Sequence, residues 1–179
     1  MVTNKISRLL FAFFFTVAIL IVLEIFASSI LPSLGWIDYK LNFNVLIVLF
    51  LAFRFTSPLF PWIVVALQLI HAVFSVDGWA LGTLVGIVLS IVVVYVKEIL
   101  QFSSFLLTII TVQVFQIAWY VLSFTLICLK LGSFEKFGLY FWNSFWGSVL
   151  LSLMSPFFFK FLDKVWAIED DSQRTGVEL

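Results

Sequence analysis

Charge is what this chain has least of. Only 11% of its 179 residues are Asp, Glu, Lys or Arg, against about 25% in a soluble domain. Ten basic and ten acidic residues cancel, and no basic patch stands out, which argues against a nucleic-acid partner. Cysteine is down to one, Cys128, which excludes an intramolecular disulfide and does not build a metal site. Histidine is also single, His71. There is no HExxH, paired-aspartate metal motif, P-loop or GxSxG. Catalysis needs convergent nucleophile, base or metal, and the sequence offers no such set. The reading is a protein that is not an enzyme and needs no cofactor.

What fills the chain instead is hydrocarbon. It is 63% hydrophobic and 19% aromatic, more apolar surface than a soluble fold of this size can hide. The bilayer is its natural solvent. Lys5 and Arg8 precede the first apolar run, and Ala27-Ser28-Ser29 faintly resembles a cleavage site. The run from Leu9 to Phe26 is longer than a signal-peptide core of about 7–15 residues, so it reads as a retained helix.

A membrane span needs about 20 apolar residues, with about 17–25 tolerated. Breaks in the apolar pattern divide 1–166 into one transmembrane domain of six spans. They run about Leu9–Leu31, Leu41–Phe55, Leu59–Val76, Trp79–Val96, Phe102–Leu129 and Phe137–Leu162. The second is short. The acidic tail 167–179 reads as disordered. With six spans and a cytoplasmic N-terminus, Lys5, Arg8, Arg54, Lys97, Lys160, Lys164 and Arg174 lie inside. Lys40, Lys130 and Lys136 lie outside. This satisfies the positive-inside rule. Trp36, Trp62, Trp79, Tyr140, Trp142 and Trp166 fall near span ends, as interfacial belts require.

Small residues recur at steps of four on span four: Gly78, Gly82, Gly86 and Ser90. Residues four apart share a helix face, and such a stripe lets another helix approach closely. The partner is another span or another protein, with a span of this chain preferred. Span six carries a similar stripe, Ser144, Ser148, Ser152 and Pro156, with Gly147 nearby. Spans four and six are expected to touch along these faces. Asp77 beside Gly78 reads as a solvated turn.

Glu24 is the one acid well inside a span. At the bilayer centre a carboxylate costs about 2.5–3.5 kcal/mol on insertion scales, so it should pair, protonate or line water. His71 and Glu24 both fall about two thirds of the way to the outer face. Gln68 lies three residues before His71 on the same face. A Glu24–His71–Gln68 cluster is expected, either a structural clasp or a group for proton coupling or ligand contact. Gln113 and Gln116 share a face of span five and are expected to bond a neighbouring helix. Arg54 is either a cytoplasmic anchor or a contact for a lipid phosphate or partner.

The layout resembles the rod shape-determining protein MreD family of bacterial inner membranes. The likeness rests on "LNFNVLIVLFLAFR", on the turn "DGWALGTLVG" and on the closing helix "FWNSFWGSVLLSLMSPFFFKFLDKV". Span three departs from it: "WIVVALQLIHAVFSV" carries Gln68 and His71 where that family often has glycines and an acid. The resemblance implies a six-helix bundle similar to the S components of energy-coupling factor transporters. It also implies a scaffold that organises lateral peptidoglycan synthesis and rod shape. The implied partners are an MreC-like protein, the MreB filament, RodA and a penicillin-binding transpeptidase. The rival reading is a substrate-binding S component for a vitamin or metal ion. Its coupling face on span one is incomplete, with Ala12, Thr16, Ala18 and Ala27.

Overall fold

The computed structural model describes residues 2–33, 41–54, 59–74, 79–96 and 105–166, side chains of 2–6, 8 and 94 excepted. Within them all regular structure is helical. Helix α1 (Val2–Ile25), a π-helical turn (Phe26–Ile30) and α2 (Leu31–Ser33) follow one another without a break. Then come α3 (Phe43–Arg54), α4 (Phe60–His71), α5 (Trp79–Val96), α6 (Phe105–Leu131) and α7 (Phe137–Trp166). Three stretches are long and apolar enough to cross a membrane: Leu9–Ser33, Phe105–Leu131 and Phe137–Trp166. Phe43–Arg54, Phe60–His71 and Trp79–Val93 are shorter apolar helices.

The helices pack as a ring with an occupied centre. Neighbours around the ring are α1–α4, α4–α5, α5–α6, α6–α7 and α7–α1. Helix α3 touches all five. Every residue of α3 from Phe43 to Phe53 is buried. A helix that is apolar on all sides belongs in a core or a membrane, and here protein surrounds it. Twelve residues rise only about 18 Å, well short of a hydrocarbon core of about 30 Å. Enclosure alone does not set that length, because α4 in the ring is also twelve residues long. Phe50 meets Phe159 of α7 edge-on at 5.4 Å, and Phe53 meets Phe115 of α6 at 5.5 Å.

Side-chain contacts fix the helix directions. Arg54 at the end of α3 reaches Asp163 near the end of α7, so these two run parallel. Asn44 at the start of α3 bonds Gln68 near the end of α4, so those are antiparallel. Gln113 of α6 bonds Ser148 of α7, and Phe105 packs on Phe157. The main helices therefore alternate in direction along the chain.

Helix interruptions have local causes. Pro32 cannot donate to the carbonyl four residues back, and its ring crowds that carbonyl. The π turn just before it widens the helix there, with Leu31 N–H bonding Phe26 O. Pro156 inside α7 likewise strips the carbonyl of Ser152 of its partner. Ser155 Oγ donates to that carbonyl at 2.7 Å, the side-chain repair that lets proline sit in a membrane helix. Helix α6 stops at Gly132, whose φ of 70° is the left-handed conformation of a helix C-terminus. Ser133 N–H closes the turn on Cys128 O at 3.2 Å.

The sequence-based bounds shift at some ends. Span three was expected to reach Val76, but α4 ends at His71 with turns through Phe74. Span six was expected to end near Leu162 and α7 continues to Trp166. The expected touch between spans four and six is wrong: α5 and α7 are not neighbours. Helices α3 and α6 stand between them, and the two stripes serve other contacts. Asp77, Gly78 and the tail 167–179 lie outside the described residues.

Candidate functional site: a polar layer at the start of α3

Polar side chains gather where α3 begins. Glu24 on α1 is 5% exposed, and its Oε1 lies 2.8 Å from His71 Nδ1 on α4. A carboxylate accepts there from a ring N–H, which gives the buried acid a hydrogen-bonding partner. Gln68, 1% exposed, does not join that pair. Its Oε1 accepts from Asn44 Nδ2 at 3.0 Å. The expected three-residue cluster is thus two pairs, Glu24–His71 and Gln68–Asn44. Positions three apart on a helix differ by about 60° in direction. That offset turns Gln68 to α3 and leaves His71 facing α1.

Glycine makes this arrangement fit. A Cβ at Gly82 of α5 would overlap Gln68 Oε1 and lie 3.1 Å from Cδ. The Gln68 amide therefore occupies the space that any other residue at 82 would fill. One turn on, a Cβ at Gly86 would lie 3.1 Å from Val64 Cγ1 and 3.2 Å from the Trp119 ring. The described part of the glycine stripe packs on α4 and α6. Ser90 Oγ donates to Gly86 O within α5.

The α7 stripe faces α6. Ser148 Oγ accepts from Gln113 Nε2 at 3.0 Å and donates to Phe145 O at 2.6 Å. Ser144 and Ser152 are buried, and Pro156 is buried beside the Ser155 repair. Gln116 is fully buried, but neither end of its amide has a partner. The expected interhelical bond is made by Gln113 alone. At the other end of the bundle, Arg54 Nη2 donates to Asp163 Oδ2 at 3.2 Å. Arg54 is thus part of an ion pair. Trp166 Nε1 donates to Thr16 Oγ1 at 3.0 Å, and Thr16 donates to Ala12 O at 2.8 Å. That chain of bonds ties the end of α7 to α1.

Asn42, Asn44 and Tyr120 are the residues that sequence reasoning passed over. Tyr120 is 2% exposed and its hydroxyl lies beside the Asn42 side chain. The signal was present in "LNFNV", two asparagines opening an otherwise apolar helix. Among the described residues, no three His, Cys, Asp or Glu side chains converge to hold a metal ion.

Comparison with known protein families, with curated proteins and with solved structures finds no match.

Proposed function

We propose that this protein is a six-span integral scaffold of the bacterial inner membrane, similar to MreD, that organises lateral peptidoglycan synthesis through helix contacts. The observation that carries the reading is the apolar outer surface of the ring. Phe11, Phe14 and Val22 on α1, Leu84 and Ile91 on α5, and Ile110 and Val114 on α6 are all exposed. So are Leu153 and Phe157 on α7. Only acyl chains or another membrane helix cover such faces without cost. Alternating helix directions put Arg54, Asp163 and Trp166 at one end, which the basic-residue rule assigns to the cytoplasm. Both termini are then cytoplasmic.

On this reading the partners are an MreC-like protein, the MreB filament, RodA and a penicillin-binding transpeptidase. Depletion tests it: rod-shaped cells should become round, and the protein should co-purify with an MreC-like protein in mild detergent. Rod-shaped growth after complete depletion, in cells with no second copy, refutes it. The rival S component predicts instead that a transporter ATPase and its membrane partner are encoded beside this gene.

A further inference from the structure

The outward stripe of α7 changes character toward its end. Leu153 and Phe157 are exposed there, and then Lys160, Phe161 and Lys164. Positions 157, 160, 161 and 164 stand three or four apart and share one helix face. The rings do not stand alone. Phe161 lies 6.4 Å from Phe15 of α1, which stacks on Phe11 at 6.0 Å. Phe157 meets Phe105 of α6 edge-on at 5.4 Å. A wall of exposed rings therefore crosses three helices beside two lysines. Lys160 and Lys164 are one turn apart, with Cβ atoms about 6 Å from each other. Asp163, the acid between them in sequence, is turned to Arg54 of α3. Among the described residues, neither ammonium meets a carboxylate.

We infer that this face holds one anionic phospholipid, with its phosphate between Lys160 and Lys164 and its acyl chains along the rings. Whatever covers the rings must be apolar, and whatever meets the lysines must be anionic. A phospholipid is both in one molecule. The chain's own acidic run, Glu169-Asp170-Asp171, has the charge but nothing apolar to lay on phenylalanine. The lysine stems lie along apolar surface while the ammonium groups reach headgroup depth. Each ammonium brings three N–H donors to phosphate oxygens, as charge-assisted bonds. At the far end of the bundle Lys130 and Lys136 are exposed as well. Gly132 ends the helix between them and Glu135 adjoins Lys136, so they form no such pair. The inference rests on the membrane reading and not on the scaffold role.

The test uses the full-length protein in mild detergent micelles with equal amounts of phosphatidylglycerol and phosphatidylcholine of the same chains. Native mass spectrometry then counts the lipids retained. The expected result is a one-lipid adduct with phosphatidylglycerol favoured about twentyfold, since each lysine beside an anionic headgroup contributes about fivefold. Lys160→Gln and Lys164→Gln should each lower that preference about fivefold, and together abolish it. Arginine at both positions should keep it. Lys130→Gln combined with Lys136→Gln should leave it unchanged. Excess inorganic phosphate should not displace the lipid, because it brings nothing to cover the rings. Equal retention of the two lipids by the parent overturns the inference. So does an undiminished preference in the double glutamine variant, or displacement by phosphate. A preference that emerges only when residues 167–179 are removed assigns the lysines to the acidic tail and overturns it too. Recovery of the protein in the soluble fraction overturns the membrane reading itself, whereas the lipid ratio reports on this face alone.

Discussion

Replacing Gly82 by alanine should change the sign of its effect with the residue at 68. The three nearest atoms to a Cβ at 82 all belong to Gln68. In the parent protein the added methyl forces the Gln68 amide away and breaks its bond to Asn44. A membrane side-chain hydrogen bond is worth about 0.6 kcal/mol on average and up to about 1.7. A buried amide left unpartnered adds about 1–3 kcal/mol. Alanine returns at most about 1 kcal/mol of helix propensity. The net expectation is a loss of about 0.5–4 kcal/mol. In a Gln68→Ala background the obstructing atoms are gone, so Gly82→Ala should be neutral or stabilising by up to about 1 kcal/mol. Reversible SDS unfolding in mixed micelles, followed by tryptophan fluorescence, measures all four corners of the cycle. Gly86→Ala serves as the comparison, because it presses on Val64 and Trp119 and should not depend on residue 68. An equal loss from Gly82→Ala in both backgrounds would refute the account of that glycine.

Proline repair gives a second cycle. Ser155→Ala should cost about 0.5–1.5 kcal/mol by stranding Ser152 O, and should cost almost nothing once Pro156→Ala restores the backbone N–H, read by the same unfolding assay. Glu24→Gln keeps a hydrogen-bonding partner for His71, whereas Glu24→Ala leaves it none, so alanine should be worse by about 1 kcal/mol. If Glu24→Gln alters neither cell shape nor abundance, the carboxylate charge has no role beyond the clasp. Arg54→Ala should lower stability by less than about 1 kcal/mol, since the Arg54 side chain is 33% exposed and solvent screens the pair. A Cys128→Ser protein carrying Ser133→Cys should react with a membrane-impermeant maleimide from outside the cell, and one carrying Lys164→Cys only after lysis. The reverse pattern inverts the topology.

The all-helical bundle could be read in the sequence because long apolar runs separated by polar and proline-containing breaks favour helices. Breaks at Pro32, Pro58, Asp77-Gly78 and Lys97-Glu98 divide the chain. Helix α5 is described from Trp79 to Val96, between two of those breaks. Helix α3 was harder, because the spanning rule asks how much lipid a helix meets and α3 is enclosed by five others. The Glu24–His71 pairing followed from depth and cost. The fate of Gln68 did not, because it depends on a glycine of α5 and an asparagine of α3 that no spacing along α4 encodes. The stripes on α5 and α7 look alike as sequence. Which helix each one meets depends on the order of helices around the ring, and a periodic pattern carries no information about that order.

The enclosed helix also sets a problem of manufacture. Helix α3 follows α1 and its short α2 extension out of the ribosome, yet α7, which closes the ring against α1, is the last helix described. Until Trp166 reaches Thr16, the amides at one end of α3 and the guanidinium at the other have an incomplete wall around them. On the proposed membrane reading, a twelve-residue helix carrying those groups partitions poorly alone, so it should enter the bilayer paired with α4 as a hairpin. Chains released before α7 are then left with an open bundle and an exposed polar centre, which a membrane protease can recognise without reading any sequence.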